Sequence, residues 1–210
     1  MAVPPDPLTD VWRYVRERWR DERSPSSRSF DADLGVSTAR WTLSGYEPTP
    51  VELAHDVLGA MPLPAEGTTF VDLGCGKGRM LLLAARHPFA RVLGIEHDGG
   101  LVATAQRNLR EARDPSRRCD DVSALLMDAR TVPWPHTPLV LFLYNPFDDQ
   151  VFDEVLDELE ASLQAAPRPC ALAYVNPLFV ASLQGHRWQC IDEGGEGVAR
   201  WGWWLPPELR

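Results

Sequence analysis

From Thr68 onward the chain alternates short runs that are apolar at nearly every position with longer runs whose apolar residues recur every three or four. TTFVDL, ARVLGIE, DVSALLMD, PLVLFLYN and CALAYVN are the short ones; RMLLLAARH, LVATAQRNLREAR and DQVFDEVLDELEASLQ are the long ones. A run such as VLFLY, with no polar position, fits a strand covered on both faces, and the helix-period runs between strands supply the cover. The order strand, helix, strand, helix, strand, strand, helix, strand predicts an α/β fold with a mostly parallel sheet and helices on both faces. HRWQCIDEGG and VARWGWWLP then read as a C-terminal antiparallel hairpin turning at Gly194, Gly195 and Gly197. Alternation puts Trp201 and Trp203 on one face of its last strand and Trp204 on the other, with core packing the first reading and a homodimer contact or an aromatic substrate wall the second.

Upstream, Val11, Trp12, Val15 and Trp19 recur at helical spacing and predict a helix from about Thr9 to Arg23. SPSSRSFDADLGVSTAR has turn residues and no period, so Ser24 to Arg40 is expected to be a loop, as a lid or a linker. TPVE announces the next helix, with Thr49 as cap, Pro50 at the first helical position and Glu52 completing a capping box. Residues 1–65 thus read as a helical appendage with a possible lid, and residues 66–210 as the main domain.

The 210 residues suffice for one substantial core. MAVPPDPLTD lacks the pattern of a secretory signal, and no run approaches the ~20 apolar residues of a membrane span, which predicts a soluble, cytoplasmic protein with no membrane partner. A net charge of −9 argues against a nucleic-acid footprint, although arginines cluster between Arg13 and Arg23 and between Arg107 and Arg118. Cys75, Cys119, Cys170 and Cys190 are far apart and form no metal-ligand pattern, so no metal site is expected. The acids between Asp148 and Glu160 interleave with a buried stripe of Val151, Phe152, Val155, Leu156 and Leu159 and read as a wet helix face.

The chemistry concentrates in VDLGCGKGR. Gly74, Gly76 and Gly78 follow the first strand of the parallel sheet, where a turn without side chains lets a ligand approach the backbone and the next helix offers unsatisfied N–H groups. A dinucleotide fingerprint needs glycine where Arg79 stands, and a phosphate-binding loop needs a Gly-Lys followed by Ser or Thr. Asp72 just before the loop would repel a pyrophosphate but suits a cofactor end with an ammonium, such as the methionine part of S-adenosyl-L-methionine. FVDLGCGKGR resembles the first motif of class I S-adenosylmethionine-dependent methyltransferases, and the element order from Thr68 to Asn176 is similar to their Rossmann-like sheet. With the preceding GYEPTP, it is also similar to bacterial methyltransferase domains related to the nucleosomal histone-lysine methyltransferases.

The resemblance implies roles position by position. Asp72 would orient the methionine ammonium, with Gly74, Gly76 and Gly78 around the carboxypropyl chain. Glu96, ending the second strand, would accept from the ribose hydroxyls; His97 would border the adenine; Asp128 would accept from its amino group while the Ala129 N–H addresses a ring nitrogen. Tyr46, Glu47 and Thr49 would lie near the cofactor mouth. Asn145, Pro146 and Phe147, after the fourth strand, resemble the motif of amino-directed methyltransferases with one proline fewer, which implies a methyl acceptor nitrogen ahead of an oxygen. Asn176-Pro177 repeats that dipeptide after the fifth strand, where ending a strand is the plain reading. The acceptor class read from this is a small molecule or a protein side chain. A nicotinamide-dependent oxidoreductase and a non-catalytic adaptor with a Rossmann-like domain are the rival readings.

Overall fold

The unbroken apolar runs become the inner strands of one sheet, because only a strand sandwiched between helices can bury every side chain it carries. The computed structural model describes residues 25–38 and 47–207. Seven strands are present: β1 (Thr69–Leu73), β2 (Arg91–Glu96), β3 (Val122–Leu126), β4 (Leu139–Tyr144), β5 (Cys170–Val175), β6 (Gln189–Gly194) and β7 (Trp201–Leu205). They lie in the order β3-β2-β1-β4-β5-β7-β6. β1 to β5 are parallel, and β7 runs antiparallel to both β5 and β6. This is the expected Rossmann-like sheet, mostly parallel with a C-terminal antiparallel hairpin.

The helices are α1 (Pro25–Leu34), α2 (Val51–Gly59), α3 (Arg79–Ala84), α4 (Gly99–Glu111), α5 (Asp149–Ala165) and α6 (Val180–Gly185). Phe70, Val92, Val140, Phe142, Trp201 and Trp203 face a layer that includes Phe30, Leu34, Leu53, Val57, Leu81 and Ala105. Val71, Leu73, Ile95, Leu141 and Trp204 face the other layer, with Phe152, Leu156, Leu159 and Leu183. The expected split of the tryptophans is therefore met, and all three pack in the core. The indole Nε1 of Trp203 donates to the Val57 carbonyl at 3.1 Å, tying β7 to α2. The helix ends follow ordinary capping physics. The Asp98 carboxylate accepts from the Gly100 and Leu101 N–H groups, and Asp148 accepts from Val151 N–H. Arg168 closes α5 by donating to the Ser162 and Ala166 carbonyls.

Three local expectations are corrected. Ser24 to Arg40 is not a loop throughout, since Pro25–Leu34 is helical. Its buried side consists of Phe30 and Leu34, a single i,i+4 pair among serines and aspartates, too little for a period to be read. The capping box at Thr49 is not formed: the helix starts after Pro50 with no side-chain cap. Its two members are engaged elsewhere, the Thr49 carbonyl accepting from Arg79 Nη1 at 3.1 Å and the Glu52 carboxylate from Ser26 Oγ. α6, only six residues long, gave no period and was not anticipated. The helix expected over Thr9–Arg23 lies outside the described residues.

In an open parallel sheet the chain leaves β1 toward β2 and later returns to β4 on its other side, so a crevice opens beyond the carboxyl ends of β1 and β4. There the strand-end residues converge.

Candidate active site

The glycine loop is shaped by what it must pass. Gly74, Gly76 and Gly78 have φ of 80°, 53° and 81°, in the left-handed region. A Cβ on Gly74 would stand 2.5 Å from the Cβ of Pro146, so the loop after β1 and the loop after β4 meet without room for a methyl group. The N–H groups of Gly74 and Cys75 both donate to the Ile95 carbonyl, at 2.8 and 3.0 Å. That holds the loop against the end of β2.

Glu96 is pinned from two sides. Its Oε2 accepts from Gly76 N–H at 3.0 Å, and its Oε1 from the N–H groups of His97 and Asp98 at 2.8 and 2.9 Å. The exposed imidazole of His97 places Nδ1 3.1 Å from the same Oε1. A carboxylate offers about four lone-pair directions, so the one left on Oε2 is the main capacity for a ligand hydroxyl. Asp72 sits one strand away, 3% exposed, and no hydrogen bond reaches its carboxylate from the described residues. Burial, and then the charge of Glu96, hold the Asp72 carboxyl well above the usual carboxylate range.

Asp128 caps the short 3-10 turn Ala129–Thr131 and binds Arg130 twice over, with Arg130 Nη2 2.6 Å from Oδ2. The Arg130 hydrogen bonds bring its carboxyl down to about 2. Arg130 also reaches Glu154 Oε2 at 3.1 Å.

These groups line one cavity of 550 Å³. Gly74, Glu96, His97, Asp128 and Ala129 form its cofactor side by expectation, and Asn145, Pro146 and Phe147 form the wall after β4. Asp72, Gly76, Gly78 and Thr49 are buried and stand outside that lining. Glu47 lines the cavity mouth, whereas Tyr46 lies outside the described residues. Asn145 is held at φ 49°, and its Oδ1 accepts from the Tyr174 hydroxyl at 3.0 Å. Asn176 has φ 48° and lines the same cavity. A non-glycine residue ahead of proline rarely adopts that conformation, so two such residues facing one cavity mark a shaped site. Sequence reasoning missed Asn176, Tyr174 and Arg130. Only the repeated Asn-Pro dipeptide was a usable signal.

Among the described residues the ionisable lining of the cavity includes Glu47, Glu96, Asp128 and Asp148 beside Arg130 and the exposed His97, and Arg130 is already held by Asp128 and Glu154. These described groups are predominantly acidic. Among the described residues no cluster of His, Cys, Asp and Glu is arranged to hold a metal, and no helix is long and apolar enough to cross a membrane.

Comparison with known proteins agrees with this architecture. Residues 70–165 match the family model of a methyltransferase domain. Residues 70–165 thus carry a methyltransferase domain, in a fold similar to that of the class I S-adenosylmethionine-dependent methyltransferases. The matched stretch runs from the first strand of this methyltransferase domain through α5, and so contains the glycine loop, both strand-end acids and the Asn145 loop. S-adenosylmethionine is the cofactor of that family. The chain is 41% identical over 69 residues to a trans-aconitate 2-methyltransferase of Variovorax paradoxus (strain S110), covering 32% of this chain and 26% of the relative. It is 35% identical over 123 residues to a 4-amino-L-phenylalanine/4-methylamino-L-phenylalanine methyltransferase of Streptomyces pristinaespiralis, covering 51% of this chain and 38% of the relative. The alignments thus span roughly a quarter to two fifths of these relatives' lengths. In three dimensions it is similar to a ribosomal protein L11 methylase from Lactobacillus delbrueckii subsp. bulgaricus, with a TM-score of 0.52 at 15% identity, over 76% of this chain and 78% of that one. That likeness speaks to the fold.

Proposed function

We propose that the protein transfers a methyl group from S-adenosylmethionine to a nitrogen atom of a small molecule or protein side chain. The observation that carries this reading is the single cavity in which Gly74, Glu96 and Asp128 meet Asn145, Pro146 and Phe147, with an acidic lining that suits a cationic cofactor and a basic acceptor. The residues fit the cofactor on their own chemistry. Asp72 is a buried acid with no hydrogen bond from the described residues, as an ammonium partner should be. The glycine cradle has positive φ throughout, and Glu96 is oriented in advance with a lone pair to spare.

On this reading Asp72 holds the ammonium, Gly74, Gly76 and Gly78 shape the cradle, Glu96 takes a ribose hydroxyl, and His97, Asp128 and Ala129 border the adenine. Tyr46 and Thr49 belong to the cofactor mouth, with Thr49 acting through the backbone it lends to Arg79. When bound, the cofactor would supply an electrophilic methyl on a sulfonium, to be taken by the lone pair of the acceptor nitrogen, with the carbon–sulfur electron pair left on sulfur and the surplus proton of the nitrogen passed to water. Asn145 and the Asn145 backbone carbonyl accept from the acceptor's N–H groups and so aim its lone pair, and the Phe147 ring packs on it and tolerates developing positive charge. On the same reading residues 66–210 form the cofactor domain and residues 1–65 its appendage, the protein works in the cytoplasm, and its source is bacterial, the last supported by the bacterial origin of the curated relatives.

Titration calorimetry with S-adenosylhomocysteine tests the cofactor, with NADH as control. One-to-one saturable binding of the former alone is expected, weakened about tenfold, or ~1.4 kcal/mol, in Glu96→Ala. Absence of binding would overturn the reading. Methyl incorporation from labelled cofactor into 4-amino-L-phenylalanine, lysine peptides and trans-aconitate then tests the acceptor atom, and methylation of trans-aconitate alone would replace nitrogen by a carboxylate oxygen.

A further inference from the structure

Tyr174 lies on β5 beneath the acceptor wall, 2% exposed, with its ring edge-on to Phe152 at 5.2 Å between centroids. The parallel pairing sets Leu143 against Tyr174 and Tyr144 against Val175, which brings the ends of β4 and β5 side by side. Its hydroxyl is the only polar atom the ring carries into this layer. It donates to Asn145 Oδ1 at 3.0 Å, and the backbone N–H groups of Phe179 and Leu178 lie near the same oxygen. A phenol has one proton. With those backbone N–H groups on the oxygen's other side, that proton points to Asn145.

An asparagine amide has two nearly isosteric orientations, and nothing in its own torsional preference separates them strongly. A fixed donor separates them. Oδ1 is stabilised beside the Tyr174 hydroxyl, whereas the flipped amide would set an N–H₂ group against an O–H and leave both protons without an acceptor. Burial pushes the Tyr174 hydroxyl up to about 12, so it remains a donor at every working pH. The left-handed backbone at Asn145 fixes where the side chain starts, and the tyrosine fixes which atom it presents.

We propose that Tyr174 is a positioning residue for methyl transfer: through its hydroxyl it locks the Asn145 amide with the oxygen facing β5, so that the second lone pair of that oxygen is presented to the acceptor nitrogen. The proposal rests on the reading that Asn145 meets the acceptor. It adds a residue outside the cavity lining to the acceptor machinery, and it couples the loop after β5, which carries Asn176, to the loop after β4.

The test compares wild type, Tyr174→Phe, Asn145→Ala and the double variant in the full chain. Tyr174→Phe keeps the ring and its contact with Phe152, so folding is retained. The side-chain amide NMR signals of Asn145, assigned by their loss in Asn145→Ala, need no acceptor. One sharp pair is expected in the wild type and a shifted, broadened or doubled pair in Tyr174→Phe, with S-adenosylhomocysteine affinity within twofold. With the amine acceptor from the panel above, kcat should fall about tenfold in Tyr174→Phe with KM unchanged, and the same substitution should change kcat by less than twofold in the Asn145→Ala background. Unaltered amide signals, an equal fall in both backgrounds, or a loss of cofactor affinity matching the loss of kcat would each overturn the proposal. Failure of the wild type to bind S-adenosylhomocysteine would sink the methyltransferase reading and leave the amide signals to judge Tyr174 alone.

Discussion

Gly74 carries two constraints at once, and they separate the reasons a glycine is needed. Its φ of 80° would strain any L side chain, and a Cβ there would also meet the Pro146 ring at 2.5 Å. The obstacle is a proline on a shaped loop, which has little freedom to yield. Gly67 has a similar φ of 74° but open space around its missing Cβ. Gly67→Ala should therefore cost about 1 kcal/mol from backbone strain and leave binding intact, whereas Gly74→Ala should cost about 2–3 kcal/mol. Because the relief must come from either loop, Gly74→Ala should also lower both S-adenosylhomocysteine affinity and turnover. Denaturant unfolding beside calorimetry measures both; a Gly74→Ala protein with wild-type affinity would mean that Pro146 moves without consequence for the cradle.

The strands and the three crossover helices could be read from the chain because a strand buried on both faces leaves an unbroken apolar run, of which VLFLY is the clearest case, and a helix covering the sheet leaves an apolar stripe at helical spacing. Glu96 at the end of β2 and Asp128, two residues beyond β3, could be located for a related reason: once a strand is placed, the first acid at its carboxyl end is placed with it. What escaped depends on partners distant in sequence. α1 rests on Phe30 and Leu34 alone, Thr49 and Glu52 were assigned to each other but are held by Arg79 and Ser26, and Tyr174 looked like one more apolar strand residue until β4 and β5 were paired. The C-terminal hairpin lies between these cases: alternation assigned Trp201 and Trp203 to one face, but not the indole hydrogen bond from Trp203 to the Val57 carbonyl. Trp203→Phe keeps most of the apolar volume and leaves that buried carbonyl without its donor. A loss of about 1–3 kcal/mol is expected, lowering Tm by several degrees with no change in S-adenosylhomocysteine affinity. A Tm within a degree of wild type would show that the Val57 carbonyl finds another donor.

With the role proposed for it at the cofactor ammonium, Asp72 would couple that site to the stability of the fold. It is a buried acid facing the charge of Glu96, and both effects hold its carboxyl well above the usual range. A carboxyl whose folded value lies above its unfolded value of about 3.9 binds its proton more tightly in the folded state. Its favourable contribution is full below that unfolded value and is lost as pH rises through the raised folded value. The cofactor-free protein should lose stability across that window and remain less stable above it. An ammonium against the carboxylate reverses the preference, draws the folded value down and expels the proton. Binding of S-adenosylhomocysteine should therefore release up to about one proton at pH below the raised value, and tighten as pH rises through the window. Calorimetry in buffers of different ionisation enthalpy reads the released proton directly. Asp72→Asn removes the charge and keeps the shape: the cofactor-free Tm should rise, by ~2–4 °C for each kcal/mol relieved in a chain of this size, while affinity falls at least about tenfold and the binding heat becomes independent of buffer. A wild-type binding heat already independent of buffer throughout the window would remove Asp72 from the ammonium site, and an unchanged Tm in Asp72→Asn would mean that the fold bears its charge without strain.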